Sequence, residues 1–85
     1  MRLMHLGRAR LGMALPRYRP QLRQAREHCL LDLFEAYALA SSTLEELQRE
    51  YPARKELIAE YQQTCADMQA EIVALLTLTD ERLFP

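Results

Sequence analysis

Four side chains near residue 30 have the chemistry of a metal site or of a thiol nucleophile with its base. His28 and Cys29 are neighbours, and Asp32 and Glu35 share a helical face with His28. Adjacent residues on a helix point about 100° apart, and a structural zinc ion needs four ligands at a recognisable spacing. The chain has no second pair of ligands at such a spacing, and Cys65 should lie too far from Cys29 for a disulfide. We therefore expect no metal site and two free thiols.

The sequence also lacks the features of an enzyme active site. It contains no glycine-rich phosphate loop and no nucleophile elbow, and both glycines fall within the first twelve positions. The carboxylates avoid the apolar stripes described below, so burial would not perturb their pKa values. We expect a protein that is not an enzyme and that carries no cofactor.

Charge is distributed very unevenly along the chain. Residues 1–26 contain seven arginines and no acidic residue, whereas all twelve carboxylates lie in residues 27–85. The net charge of −1 is therefore a cancellation between +7 and −8. This pattern indicates a basic arm joined to an acidic body. An alternative translation start at Met13 would remove three of the arginines.

The basic residues recur at a helical spacing. Arg19, Arg23 and Arg26 follow one another at i, i+4 and i+7, and Arg17 precedes them. Guanidinium groups neutralise backbone phosphates and release counterions, so nucleic-acid binding through these four arginines is one hypothesis. Two observations count against it, since the acidic body repels a polyanion and Tyr18 is the only aromatic residue nearby. The arm could equally neutralise the acidic body of a second copy.

Prolines divide the chain into segments. Pro16 and Pro20 disfavour helix in the residues before them, so residues 1–19 are predicted to form a basic arm, flexible or docked. Residues 20–79 should form the helical domain and residues 80–85 a short C-terminal tail.

Two heptad stripes predict the helices of that domain. Apolar residues alternate at spacings of three and four on both sides of Pro52, which is typical of helices packed on helices. The stripes are Leu30, Leu33, Tyr37, Ala40, Leu44, Leu47 and Tyr51, followed by Ile58, Tyr61, Cys65, Met68, Ile72 and Leu75. The fold class is therefore all-α, with a second helix expected from about Ala53 to Leu78.

Pro52 has two interpretations. Reversing the chain there pairs each stripe residue with an apolar partner, such as Tyr37 with Met68, in an antiparallel two-helix hairpin that resembles a coiled coil. The two stripes also share one heptad phase, as a single long kinked helix would require. We favour the hairpin, because a chain of 85 residues gains stability by packing on itself.

A second apolar set lies beside the main stripes and predicts a binding surface. Its members are Leu31, Phe34, Val73 and Leu76. Two helices cannot cover both sets, so a second copy making a four-helix bundle, the arm's Leu11, Met13 and Leu15, or another protein must cover this one.

These observations predict a small helical adaptor, chaperone or regulator that forms a homodimer or binds a protein partner through Leu31, Phe34, Val73 and Leu76. The alternative is a nucleic-acid-associated regulator that uses Arg17, Arg19, Arg23 and Arg26. No apolar run reaches the roughly 20 residues that cross a bilayer, and the acidic body disfavours peripheral membrane contact. Two cysteines without a signal peptide favour the cytoplasm.

Overall fold

The computed structural model describes residues 2–83, with side chains described as far as Leu78. Within this range the chain forms four α-helices and no strand, which confirms the all-α prediction. The helices are α1 (Leu3–Ala14), α2 (Arg19–Gln24), α3 (His28–Arg49) and α4 (Lys55–Leu83), and a 3-10 turn at Pro16–Tyr18 joins α1 to α2. Residues 80–83 of the predicted tail thus belong to α4, and residues 84–85 lie outside the described residues.

The N-terminal residues form a packed helix. Helix α1 ends at Ala14, just before Pro16, whose ring restricts the backbone of Leu15. Leu11 is fully buried, and Arg10 donates a 3.0 Å hydrogen bond to the Ser41 hydroxyl and pairs with Glu45. Helix α1 therefore docks against α3 and contributes to the core.

Gly7 is the point of closest approach between α1 and α3. A Cβ atom built at Gly7 would lie 1.7 Å from the carbonyl oxygen of Phe34, so only glycine allows the two backbones to come this close. The contacts of Gly7 with Phe34 and of Arg10 with Ser41 rise together in residue number. The two helices therefore run in the same direction.

All four helices contribute to a single hydrophobic core. Its largest fully buried side chains are Phe34, Leu11, Leu22, Leu30, Ile72 and Leu76. Burying an aliphatic or aromatic side chain of this size stabilises a fold by about 1.5–3 kcal/mol. The N-terminal helices supply Leu11 and Leu22, so they are part of what holds α3 and α4 in place.

Helices α3 and α4 pack against each other and are joined by residues 50–54. The Gln69 side-chain amide donates a 2.8 Å hydrogen bond to the Tyr37 hydroxyl, which links the two helices across 32 residues of sequence. In the connection, Arg54 donates two hydrogen bonds to the Glu50 carboxylate, at 2.9 and 2.8 Å, and these bonds lower the pKa of Glu50.

Burial separates the predicted stripe residues into three groups. Leu30, Tyr37, Ala40, Leu47, Cys65 and Ile72 are buried, whereas Leu33, Leu44, Ile58, Tyr61, Met68 and Leu75 are half-buried. The prediction was wrong for Tyr51, which is 97% exposed because α3 ends at Arg49 and leaves it in the connection. None of the helices in residues 2–83 is both long enough and apolar enough to cross a membrane.

Candidate functional site

The apolar face predicted to bind a protein partner is largely inside the molecule. Phe34 is 0% exposed and Leu76 is 2% exposed, and both belong to the core. Leu31 and Val73 are half-buried beside them. The expectation that these four residues form one open surface is wrong, because Gly7 brings α1 directly onto Phe34 and Leu11 completes the same cluster. Of the three covers that the sequence allowed, the structure has the N-terminal segment, through Leu11 and Leu15. The prediction was wrong for Met13, which is 77% exposed.

The four arginines of the alternative prediction all lie on the surface. Arg17 is in the 3-10 turn, Arg19 and Arg23 are in α2, and Arg26 follows in the link to α3. The side chain of Arg26 donates hydrogen bonds of 2.9 and 2.8 Å to the carbonyl oxygens of Arg23 and Ala25. Arg26 therefore acts partly as a cap for the C-terminal end of α2, where exposed carbonyls attract cations.

A cleft of about 320 Å³ lies between α1 and α2. Its lining consists of His5, Arg8, Ala9, Gly12, Met13, Arg19, Leu22 and Arg23. Three of these side chains are arginines and none is a carboxylate. The cleft is thus a concave surface on which positive charge is concentrated, and such surfaces attract anions.

Arg19 is fixed at one side of this cleft. Its Nε atom donates a 2.8 Å hydrogen bond to the carbonyl oxygen of Gly12, near the C-terminal end of α1. The bond orients the guanidinium group and leaves its two terminal nitrogens free of protein partners among the described residues. Arg23 is exposed, and its side chain makes no hydrogen bond or ion pair with any described residue. Both groups can therefore donate to a ligand.

Arg8 of α1 is hydrogen-bonded to the C-terminal end of α2. Its terminal nitrogens donate to the carbonyl oxygens of Arg23 and Ala25, at 3.3 and 3.0 Å, and its guanidinium carbon lies 5.5 Å from the centre of the Phe34 ring. Its Nε atom is buried without a hydrogen-bond partner. Burial, and to a smaller extent the charge of Arg26, lower the pKa of the Arg8 guanidinium. No carboxylate among the described residues forms an ion pair with Arg8.

Sequence reasoning missed the part of the cleft that α1 supplies. His5, Arg8 and Gly12 are spaced at i, i+3 and i+7, so one face of a helix presents all three. That spacing was a usable signal, but Pro16 and Pro20 favoured a broken arm over a helix. Arg19 and Arg23 were found because the arginines recur at a helical spacing. The prediction was wrong for Arg26, because α2 ends at Gln24 and leaves it in the link to α3.

The other chemistry considered from the sequence does not assemble into a site. No group of three or more His, Cys, Asp or Glu side chains in the described part of the chain could hold a metal ion. His28, Asp32 and Glu35 lie with Arg2, Leu3 and Met4 around a separate open groove. Both cysteines are free thiols; Cys29 is exposed, and burial of Cys65 raises its pKa.

Comparison with known proteins places the chain in no group. No protein family, no curated protein and no solved structure matches it.

Proposed function

We propose that this chain is a non-enzymatic, nucleic-acid-associated protein that contacts the phosphate backbone through α1 and α2. The observation that carries the proposal is the cleft between these helices, where Arg8, Arg19 and Arg23 converge without a carboxylate. Contacts to phosphate dominate the affinity of proteins for nucleic acids, and arginine suits them because its planar group donates several hydrogen bonds.

Most of the positive charge on this segment is available to such a ligand. Among the described residues, one ion pair, Arg10 with Glu45, joins the first 26 residues to the rest of the chain. The other arginines before Glu27 form no ion pair with a carboxylate of the described residues. Exposed charges farther apart than about 8 Å are largely screened at physiological salt, so remote carboxylates oppose binding less than the net charge suggests.

The proposal is tested with two double variants that remove the same charge. Arg17→Gln with Arg23→Gln removes two cations from the proposed face, and neither side chain has a partner in the described structure to lose. Arg49→Gln with Lys55→Gln removes two exposed cations that lie outside α1, α2 and the turn between them. Fluorescence anisotropy with a labelled 20-nucleotide strand at several salt concentrations gives the affinity and its salt dependence.

We expect the Arg17 and Arg23 variant to bind more weakly and to show a salt slope lower by about 1.4–1.8 for two lost phosphate contacts. The Arg49 and Lys55 variant should bind like the wild type. Equal losses in both variants would contradict the assignment of the face, and a wild type that does not bind at low salt would eliminate the function.

The supporting scaffold is proposed to be an antiparallel hairpin of α3 and α4. The hydrogen bond between Tyr37 and Gln69 supports this arrangement, because it joins residues almost equidistant from Pro52. In this arrangement α1 and α2 lie on one side of the hairpin and present the arginines outward.

A second candidate function is a small helical adaptor, chaperone or regulator that dimerises or binds a protein partner. It is favoured by a half-buried apolar stripe along α4, and not by the buried face predicted from the sequence. The stripe consists of Leu57, Tyr61, Met68 and Leu75, and the last three also pack against the core of their own chain, so a second copy would cover only their exposed parts. Two copies joined by such stripes would form a four-helix bundle, and measurement of molar mass in solution tests this directly.

A further inference from the structure

The cleft between α1 and α2 has features that a diffuse basic surface does not need. We propose that it is a discrete site for one phosphate-type oxyanion, which in the complete complex is a phosphodiester group of the nucleic-acid strand. This inference rests on the proposed function and goes beyond it, because it assigns one phosphate to one set of side chains.

One donor of the site, Arg19, is held in place before a ligand binds. The Nε atom of Arg19 is fixed on the Gly12 carbonyl at 2.8 Å, which leaves the two terminal nitrogens as a fork for two oxygens of an anion. Arg23 and His5 line the same cleft. A guanidinium that is already oriented loses less conformational entropy on binding, and this favours a specific site over a transient contact.

The charge of Arg8 also favours an anion in the cleft. Arg8 as a whole residue is half-buried, and its hydrogen bonds go to the neutral carbonyls of Arg23 and Ala25. The charge of Arg26 opposes that of Arg8. An oxyanion bound beside Arg8 would supply the negative charge that no carboxylate of the lining provides, and at short range in a partly dehydrated site this attraction is strong.

The dimensions of the cleft fit this ligand. Its volume of about 320 Å³ is at the lower end of the range of roughly 300–1,000 Å³ for small-molecule sites. Leu22, Ala9 and Met13 provide apolar contact beside the cationic groups. A phosphate group with part of its sugar matches this combination of surfaces.

The test compares Arg23→Gln with Arg17→Gln. Both variants remove one exposed arginine of the same basic face, but only Arg23 lines the cleft. Each protein is titrated with inorganic phosphate and, separately, with a short oligothymidylate, at constant ionic strength. Two-dimensional NMR follows the amide of Gly12 and the Nε–H groups of the arginines, and circular dichroism verifies that helix content is unchanged.

We expect both ligands to shift the resonances of Gly12 and Arg19 in the wild type. Arg23→Gln should weaken binding about tenfold, the effect of losing one charge-assisted hydrogen bond, whereas Arg17→Gln should weaken it less than threefold. Phosphate binding that depends on Arg23, without any oligothymidylate binding, would support the anion site and eliminate the proposed function. Equal weakening by the two substitutions would overturn the discrete site and leave the proposed function standing. Wild-type protein that binds neither ligand would overturn both.

Discussion

At the scale of single residues, the arginines of the N-terminal segment have two different roles. Arg8 and Arg26 donate to carbonyl oxygens at the end of α2, and Arg19 donates to Gly12 at the end of α1. These bonds satisfy carbonyls that a helix end leaves unpaired. Arg17 and Arg23 make no such bonds within the described residues. The first three therefore stabilise the fold as well as supplying charge, so Arg17 and Arg23 are arginines of this segment that can be substituted without losing such a bond.

The two glycines of α1 should respond in opposite ways to alanine. Gly7→Ala places a Cβ against the backbone of Phe34, which cannot move without displacing α3. We expect this substitution to lower the free energy of unfolding by about 1–3 kcal/mol, the usual cost of overpacking. Urea denaturation followed by circular dichroism measures the change.

Gly12→Ala is the matched control in the same helix. The nearest atom to its new Cβ would be the Arg19 Cγ at 3.6 Å, which is an ordinary contact. Alanine is the better helix former by roughly 0.5–1 kcal/mol, so the free energy of unfolding should rise or stay unchanged. Equal destabilisation by both substitutions would show that Gly7 is not a special point of approach.

At the scale of elements, the sequence predicted α3 and α4 better than α1. The first stripe, Leu30 to Tyr51, ended close to the observed bounds of α3, because the apolar spacing of three and four continues through that helix. The second stripe stopped at Leu75, whereas α4 continues to Leu83. Helix α1 lacks that continuity, since Arg8 and Arg10 flank its buried face and Gly7 lowers its helix propensity. It is helical because it packs on Phe34 and buries Leu11, and a pattern read along one segment does not contain that tertiary contact.

The packing of α1, which a local sequence pattern does not contain, also decides which predicted site residues are exposed and which residues line the cleft. Phe34 and Leu76 were predicted to form a second apolar set, but they belong to the same core cluster as the main stripes, and their burial depends on where residues 3–14 lie. The cleft was missed for the same reason, because His5 and Arg8 meet Arg19 only after the chain folds back through the turn at Pro16–Tyr18. Local spacing located the arginines of α2, and packing decided what lies opposite them.

The contact between α3 and α4 should depend measurably on one polar pair. Tyr37→Phe keeps the ring in the core but removes the acceptor of the Gln69 amide, which is half-buried. We expect a loss of about 0.5–1.5 kcal/mol in the free energy of unfolding, the typical net value of one hydrogen bond. A double-mutant cycle with Gln69→Ala isolates the coupling between the two side chains.

Gln63→Ala serves as the comparison for that cycle. Gln63 donates a 2.8 Å hydrogen bond to Asp67, but this bond is exposed and lies within α4. Its removal should cost only about 0.2–0.5 kcal/mol. Coupling of zero between Tyr37 and Gln69 would contradict a direct contact between the two helices at this point.

At the scale of the whole molecule, the surfaces of the chain differ in charge and polarity. The basic α1 and α2 cover one side of the core, and α4 carries carboxylates together with the half-buried stripe of Leu57, Tyr61, Met68 and Leu75. A domain of this size buries only about 60% of the surface of its unfolded chain, so additional burial between copies would add appreciably to its stability.

The last prediction concerns this association. Tyr61→Glu with Met68→Glu places two charges on the stripe, and Ala59→Glu with Ala66→Glu places two charges at the same spacing on exposed positions of α4. If the stripe joins two copies, light scattering on the wild type should give twice the 9.9 kDa of one chain. The Tyr61 and Met68 variant should be monomeric because a buried carboxylate pair repels, and the Ala59 and Ala66 variant should remain dimeric.

Circular dichroism must show that both variants keep their helices, and Met68→Ser offers a milder change if the double substitution unfolds the chain. A wild type that stays monomeric over a hundredfold range of concentration would rule out dimerisation and leave the stripe without a role in self-association.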